Sequence, residues 1–177
     1  MTSGEERPAA FQLGDHPLTG VGHELQVGDQ APDATLAGKG FVPEPVRLSD
    51  YRGKVLILSC VPSLDTRVCD METRRWESER QALDGPIEML TVSMDLPFAQ
   101  ARWCGAADVH HTTASAFTNQ QFAVDYGVLM KEPHLLARAV FVIGKDGRLA
   151  HVEYVRQVAE QPNYEAALEA AKRAATA

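Results

Sequence analysis

Two apolar runs set the terms for this chain. "KVLILSC" at residues 54–60 and "IEMLTVSM" at residues 87–94 are of strand length, without the strict polar alternation of a half-exposed strand. Such runs fit strands covered on both faces, which an α/β sheet provides. Between them lies a charged, helix-prone stretch over 65–83. Its apolar residues Val68, Trp76 and Leu83 stand eight and seven apart, two-turn spacings that share one helical face. Gly85-Pro86 ends it. Strand, helix and strand in that order predict a parallel crossover unit.

The flanking segments fill in a mixed sheet. Residues 1–10 read as a frayed polar tail, and 11–177 as a single domain. "PLTGVGHELQVG" at 17–28 alternates around Gly20 and Gly22 and predicts a small N-terminal β-hairpin. "GDQAPDATLAG" and "VPEPVRLSDYRG" read as loops joining two short strands. Asp95 suits the cap of a short helix with Pro97 in its first turn and Gly105 at its end. Residues 119–126 predict a further short helix closed by Gly127. "RAVFVIGKDGRLAHVEYV" predicts an antiparallel hairpin around residues 144–147. An alanine-rich helix over 164–174 completes a central mixed β-sheet flanked by helices.

Charge and cysteine content narrow the function. The 177 residues carry 17 Lys and Arg against 24 Asp and Glu, a net charge of −7. That field repels nucleic acid and anionic membrane surfaces. No apolar run approaches the roughly 20 residues of a membrane helix. "MTSGEERPAA" lacks the basic head and greasy stretch of a secretory signal, so a reducing, cytoplasmic location is expected. Three cysteines, Cys60, Cys69 and Cys104, are too few for a disulfide framework. They leave thiol chemistry as the possibility to pursue.

Cys69 sits where the strand gives way to the helix. A helix start favours negative charge, and the thiolate is the reactive form of cysteine. Thr66, three residues earlier, places its hydroxyl on the same face. Pro62 closes the strand and stiffens the loop. Position alone is equally compatible with a buried, inert cysteine.

The wider pattern is more specific. Pro62-x-x-x-Thr66-x-x-Cys69 is the peroxiredoxin active-site pattern, and "PSLDTRVC" resembles the thiol peroxidase branch, the atypical two-cysteine peroxiredoxins. "SMDLPFAQARWC" (93–104), "LARAVFVI" (136–143), "QPNYEAAL" (161–168) and "GHELQVGDQAPD" (22–33) resemble that group's segments at matching places. The resemblance covers roughly residues 11–172. It implies a thioredoxin-like fold, Cys69 as the peroxidatic cysteine and Cys104 as the resolving one. It also implies active-site roles for Thr66, Pro62 and Arg138, hydrogen peroxide and organic hydroperoxides as substrates, thioredoxin as reductant, and a homodimer. Three departures stand out: Ala34 where the group has phenylalanine, the extra thiol Cys60, and the less acidic "YVRQVAEQ".

The chemistry explains the residue types. Enriching the thiolate lowers its intrinsic nucleophilicity, and the two effects nearly cancel. A fast peroxidase therefore needs donors for the leaving oxygen, which Thr66, Arg138 and the helix N–H groups supply. A disulfide needs Cα atoms within about 7 Å. Cys69 and Cys104 are expected on separate packed helices, so local unwinding is expected before they join.

Other readings are weaker. His110-His111 on a strand point to opposite faces, and no metal-binding cluster accompanies them. Cys60 reads as core, and no cofactor is expected. A disulfide oxidoreductase of the same fold lacks its C-x-x-C motif. A redox sensor that is oxidised once stays open at this level.

Overall fold

The computed structural model describes residues 4–177, so the first three residues of the expected tail lie outside it. The chain runs β1 (Glu6–Leu13), β2 (His16–Val21), β3 (Thr35–Ala37), β4 (Pro45–Arg47), a 3-10 turn (Leu48–Tyr51), β5 (Val55–Cys60) and α1 (Arg67–Gln81). β6 (Ile87–Ser93), α2 (Pro97–Ala107), β7 (Thr112–Ser115), α3 (Gln120–Asp125), β8 (Leu129–Met130) and β9 (Leu135–Leu136) follow. β10 (Ala139–Ile143), β11 (Leu149–Tyr154) and α4 (Tyr164–Thr176) close it.

The main sheet has the order β11-β10-β5-β6-β7-β3-β4. β5, β6 and β7 are parallel neighbours, whereas β10 runs antiparallel to both β5 and β11. The expected crossover unit and closing hairpin are therefore both present. All six residues of β5 are buried, and all but Ser59 divide between two cores. Val55 and Ile57 pack with Trp76 of α1 and with Tyr164, Ala167 and Leu168 of α4. Leu56, Leu58 and Cys60 face the other way, onto Phe122 of α3 and Tyr126. Helices cover both faces of the sheet, the thioredoxin-like arrangement. None of the helices among the described residues is long and apolar enough to cross a membrane.

Four local expectations need correction. Residues 6–10 are not tail but the first part of β1, which pairs antiparallel with β2. The expected N-terminal hairpin is present but starts upstream of 17–28, which supplies only β2; it turns at Gly14-Asp15, with a bulge where Ala9 takes φ +53°. Arg7 makes this polar strand tenable by pairing with Glu24 and donating to the Gly22 and Gly127 carbonyls.

α2 is not capped by Asp95 or stopped by Gly105. Leu96 is its N-cap, Pro97 opens it, and Asp108 ends it in the left-handed region at φ +56°. Finally, the expected face Val68-Trp76-Leu83 holds only in part. Trp76 is fully buried and Leu83, beyond the end of α1, packs against the same core, but Val68 is only half-buried. The buried face of α1 comprises Cys69, Glu72, Thr73, Trp76 and Glu77, four of the five polar or thiol-bearing.

Candidate active site

The site forms where β5 ends and α1 begins. Val61 continues the sheet through a hydrogen bond to the Val92 carbonyl, and Pro62 is buried behind it. Asp95 shapes the loop: its carboxylate accepts from Ser63 Oγ at 2.6 Å, from Leu64 N at 2.8 Å and from Ser93 Oγ at 2.6 Å. Read from sequence as a helix cap, Asp95 is instead the brace of the loop before Cys69.

Thr66 is the N-cap residue of α1, but its side chain makes no capping bond. Its hydroxyl lies 2.9 Å from Cys69 Sγ and 2.8 Å from the Ser63 carbonyl. A hydroxyl has one proton, so the two contacts are linked to the state of the sulfur. Against a thiolate, Thr66 donates to Sγ. Against a thiol, Cys69 can donate to Oγ1 while Thr66 donates to Ser63. A side-chain cap contributes about 0.5–2 kcal/mol, which this helix forgoes at the end where an anion would sit.

Arg138 lies just before β10 and reaches across the sheet to the same sulfur. Nη1 and Nη2 each stand 3.6 Å from Cys69 Sγ. Nη1 also donates to Glu72 Oε2 at 2.5 Å, and Nε and Nη2 donate to the Val158 carbonyl at 3.3 and 2.9 Å. Five donor hydrogens thus have five contacts, which fixes the guanidinium plane. Glu72 in turn accepts from Ser59 Oγ at 2.9 Å and Trp76 Nε1 at 3.2 Å. Burial disfavours charge on Arg138, but Glu72 and Cys69 outweigh it and raise its pKa above the usual value. Burial also raises the Glu72 carboxyl, against the pull of Arg138, Ser59 and Trp76.

Of the residues singled out from sequence, Thr66 and Arg138 lie against the Cys69 sulfur and Pro62 is buried in the loop before it, while Glu72 and the Val158 carbonyl were not foreseen. Glu72 lies one helical turn beyond Cys69, and a carboxylate on the inner face of α1 was the available signal. Cys104 is not part of this cluster. Its Sγ lies 3.7 Å from Thr113 Oγ1 on the other side of α2, and burial raises its thiol. Trp103, the preceding residue, does reach the site and packs against Val61, Leu64 and Cys69.

All three cysteines are free thiols. Cys60 is fully buried in the opposite core, and burial pushes its thiol far up. His110 is exposed while His111 is buried, with Nδ1 2.7 Å from Glu77 Oε2 and Nε2 2.9 Å from Thr91 Oγ1.

Known proteins share this arrangement of elements. Residues 26–168 match the Redoxin family model. A thiol peroxidase from Halalkalibacterium halodurans is 46% identical over 167 residues, covering 94% of this chain and 99% of that protein. The chain belongs to the thiol peroxidase branch of the redoxin family. A Bacillus subtilis thiol peroxidase is 47% identical over 157 residues, 88% of this chain and 92% of its own. Among solved structures, a peroxiredoxin-like protein from Aquifex aeolicus superposes with a TM-score of 0.86 at 35% identity. It covers 97% of this chain and 99% of that one. In this redoxin the Pro62-Thr66-Cys69 pattern is intact; Ala34 and Cys60 lie outside it, whereas residues 154–161 include Val158, whose carbonyl accepts from Arg138.

Proposed function

We propose that this redoxin is a thiol-dependent peroxidase in which Cys69 reduces hydroperoxides and Cys104 completes the cycle. The carrying observation is one sulfur flanked by the Thr66 hydroxyl at 2.9 Å and the Arg138 guanidinium at 3.6 Å. In the reaction the Cys69 thiolate attacks one peroxide oxygen, the O–O bond breaks, and the other oxygen leaves with growing negative charge. Donors already held in place stabilise that charge without reorganising. Arg138 is preorganised by Glu72 and Val158, and Thr66 by its place at the helix start. Cysteine supplies the nucleophile and the donors supply the rate.

The product is a Cys69 sulfenic acid, which Cys104 converts to an intramolecular disulfide with loss of water. Thioredoxin, or a dithiol protein like it, then returns both thiols. Cys69 is 0% exposed, so its surroundings must yield before either peroxide or Cys104 reaches it. An apolar patch supports a homodimer. Phe41 and Phe98 are 90% and 54% exposed with ring centroids 6.2 Å apart. Free thiols doing this work suit a reducing compartment such as the cytoplasm.

A steady-state assay with cumene hydroperoxide or hydrogen peroxide, thioredoxin, its reductase and NADPH tests the reading. Cys69→Ser should abolish turnover, because serine offers no comparable nucleophile at neutral pH. Cys60→Ser should retain it. Equal loss in both variants would remove Cys69 from its role.

A further inference from the structure

Three side chains along one stripe of α1 hold the segment that carries Cys104. Asp70, Arg74 and Glu77 are spaced by four and three residues and so share a helical face. Glu77 grips the chain beyond α2. Its Oε2 accepts from His110 N at 3.1 Å, His111 N at 2.9 Å and His111 Nδ1 at 2.7 Å. This foot is buried, the Glu77 side chain being 6% exposed.

The grip on α2 itself is lighter. Asp70 Oδ1 accepts from Trp103 Nε1 at 3.0 Å, and Asp70 Oδ2 accepts from Arg74 Nε at 3.0 Å. The Arg74 guanidinium lies 5.6 Å from the Trp103 ring centre and donates to the Ala107 carbonyl at 3.3 Å. Asp70 and Arg74 are 35% and 49% exposed, so water competes for every one of these bonds. α1 therefore holds the chain firmly beyond α2 and pins α2 only lightly beside Cys104, while the buried Gln100 ties the first turns of α2 to Ser93 and the Ala114 carbonyl. Trp103 is also the residue packed on Val61, Leu64 and Cys69, so it cannot leave without uncovering the site.

We infer that Asp70 and Trp103 form a latch that sets how fast the oxidised Cys69 is resolved. The inference rests on the peroxidase reading above. A Cys69 sulfenic acid has two fates. In one, the Cys104 sulfur attacks the Cys69 sulfur, an S–S bond forms, the S–O bond breaks, and hydroxide leaves with the Cys104 proton as water. In the other, a second hydroperoxide transfers an oxygen to the sulfenate, giving a sulfinate and an alcohol. The first step is unimolecular and requires α2 to open. The second is bimolecular and depends on peroxide concentration. Latch strength therefore fixes the peroxide concentration at which the enzyme over-oxidises. Asp70 and Trp103 are positioning residues here, acting through Cys104.

Trp103→Phe keeps an aromatic ring at the site but removes the N–H, and Asp70→Ala removes the acceptor. Both variants, their double and the wild type are oxidised with one equivalent of hydroperoxide to time disulfide closure, and with a rising excess to titrate sulfinate. The reaction is quenched rapidly with an alkylating reagent, and disulfide and sulfinate are counted by mass spectrometry. Each single substitution should speed the peroxide-independent closure about fivefold, the size of one part-exposed hydrogen bond. The concentration giving half sulfinate should rise by the same factor. The double variant should add little beyond the faster single, because one contact has been removed from both sides.

Unchanged or slower closure in both singles, or full additivity in the double, overturns the latch. Failure of the wild type to form any Cys69–Cys104 disulfide overturns the peroxidase cycle itself, and the latch with it. The wild-type arm thus tests the cycle and the variant arms test the latch.

Discussion

Glu72→Gln is the sharpest structural perturbation of the site. Glu72 and Arg138 form an ion pair in which the side chains are 0% and 1% exposed, so neither charge has water to fall back on. Removing one charge of such a pair costs about 3–5 kcal/mol, because the other stays buried without a counter-ion. The amide adds to this. Its single oxygen can face Arg138, or face Ser59 and Trp76, but not both sides. The loss is thus a large part of the about 5–15 kcal/mol that a typical domain has in total. Urea unfolding of the reduced protein, followed by far-UV circular dichroism, measures it. The double variant Glu72→Gln/Arg138→Met removes both charges and should cost clearly less than the two single changes summed. A Glu72→Gln effect below about 0.5 kcal/mol, within the range of ordinary surface changes, would refute the reasoning. So would simple additivity in the double.

Two further outcomes follow from the same geometry. One equivalent of hydroperoxide should change tryptophan fluorescence and a dithiol should reverse it; Trp103→Phe should remove most of the change and Trp76→Phe should keep it. Burial alone would raise the Glu77 carboxyl, but donors from Arg80, His111 and His110 outweigh it and hold it well below its ordinary 4.5. The unfolded chain then binds more protons below 4.5, so this contribution is present above that value and is lost as pH falls further. Urea midpoints taken from neutral pH into the acid range should fall along that slope, and Glu77→Gln should flatten it; an unchanged slope would contradict this.

The parts of the fold legible in the sequence are those whose signal is local. β5 and β6 announce themselves as unbroken apolar runs, and the β10–β11 hairpin by its glycine turn. α1 is also legible as a helix, but its orientation is not. Its inner face carries Glu72 and Glu77, whose partners Arg138 and His111 lie 66 and 34 residues away. A periodicity rule that places apolar residues inside therefore finds Trp76 but passes over the buried Cys69, Glu72, Thr73 and Glu77. β8 and β9 have two residues each, too few for any alternation to register. Asp95 has the composition of a helix cap, and only the fold shows that Ser63 and Leu64 occupy its oxygens. The site residues were legible through the Pro62-Thr66-Cys69 pattern, while Arg138 needed the family resemblance because an arginine at a strand end is otherwise unremarked.

The central claim is that placed donors, rather than a thiolate alone, make Cys69 a peroxidase. In a Cys104→Ser background, where the cycle stops at the first oxidation, Thr66→Val isolates one donor. The measurement is the bimolecular rate of Cys69 with a hydroperoxide, set beside its rate with iodoacetamide, which mainly reads thiolate content. Losing one preorganised donor should slow the peroxide reaction by about 10²–10³, while alkylation changes little. Parallel losses with both reagents would contradict the account and leave Thr66 acting only on the ionisation of the thiol.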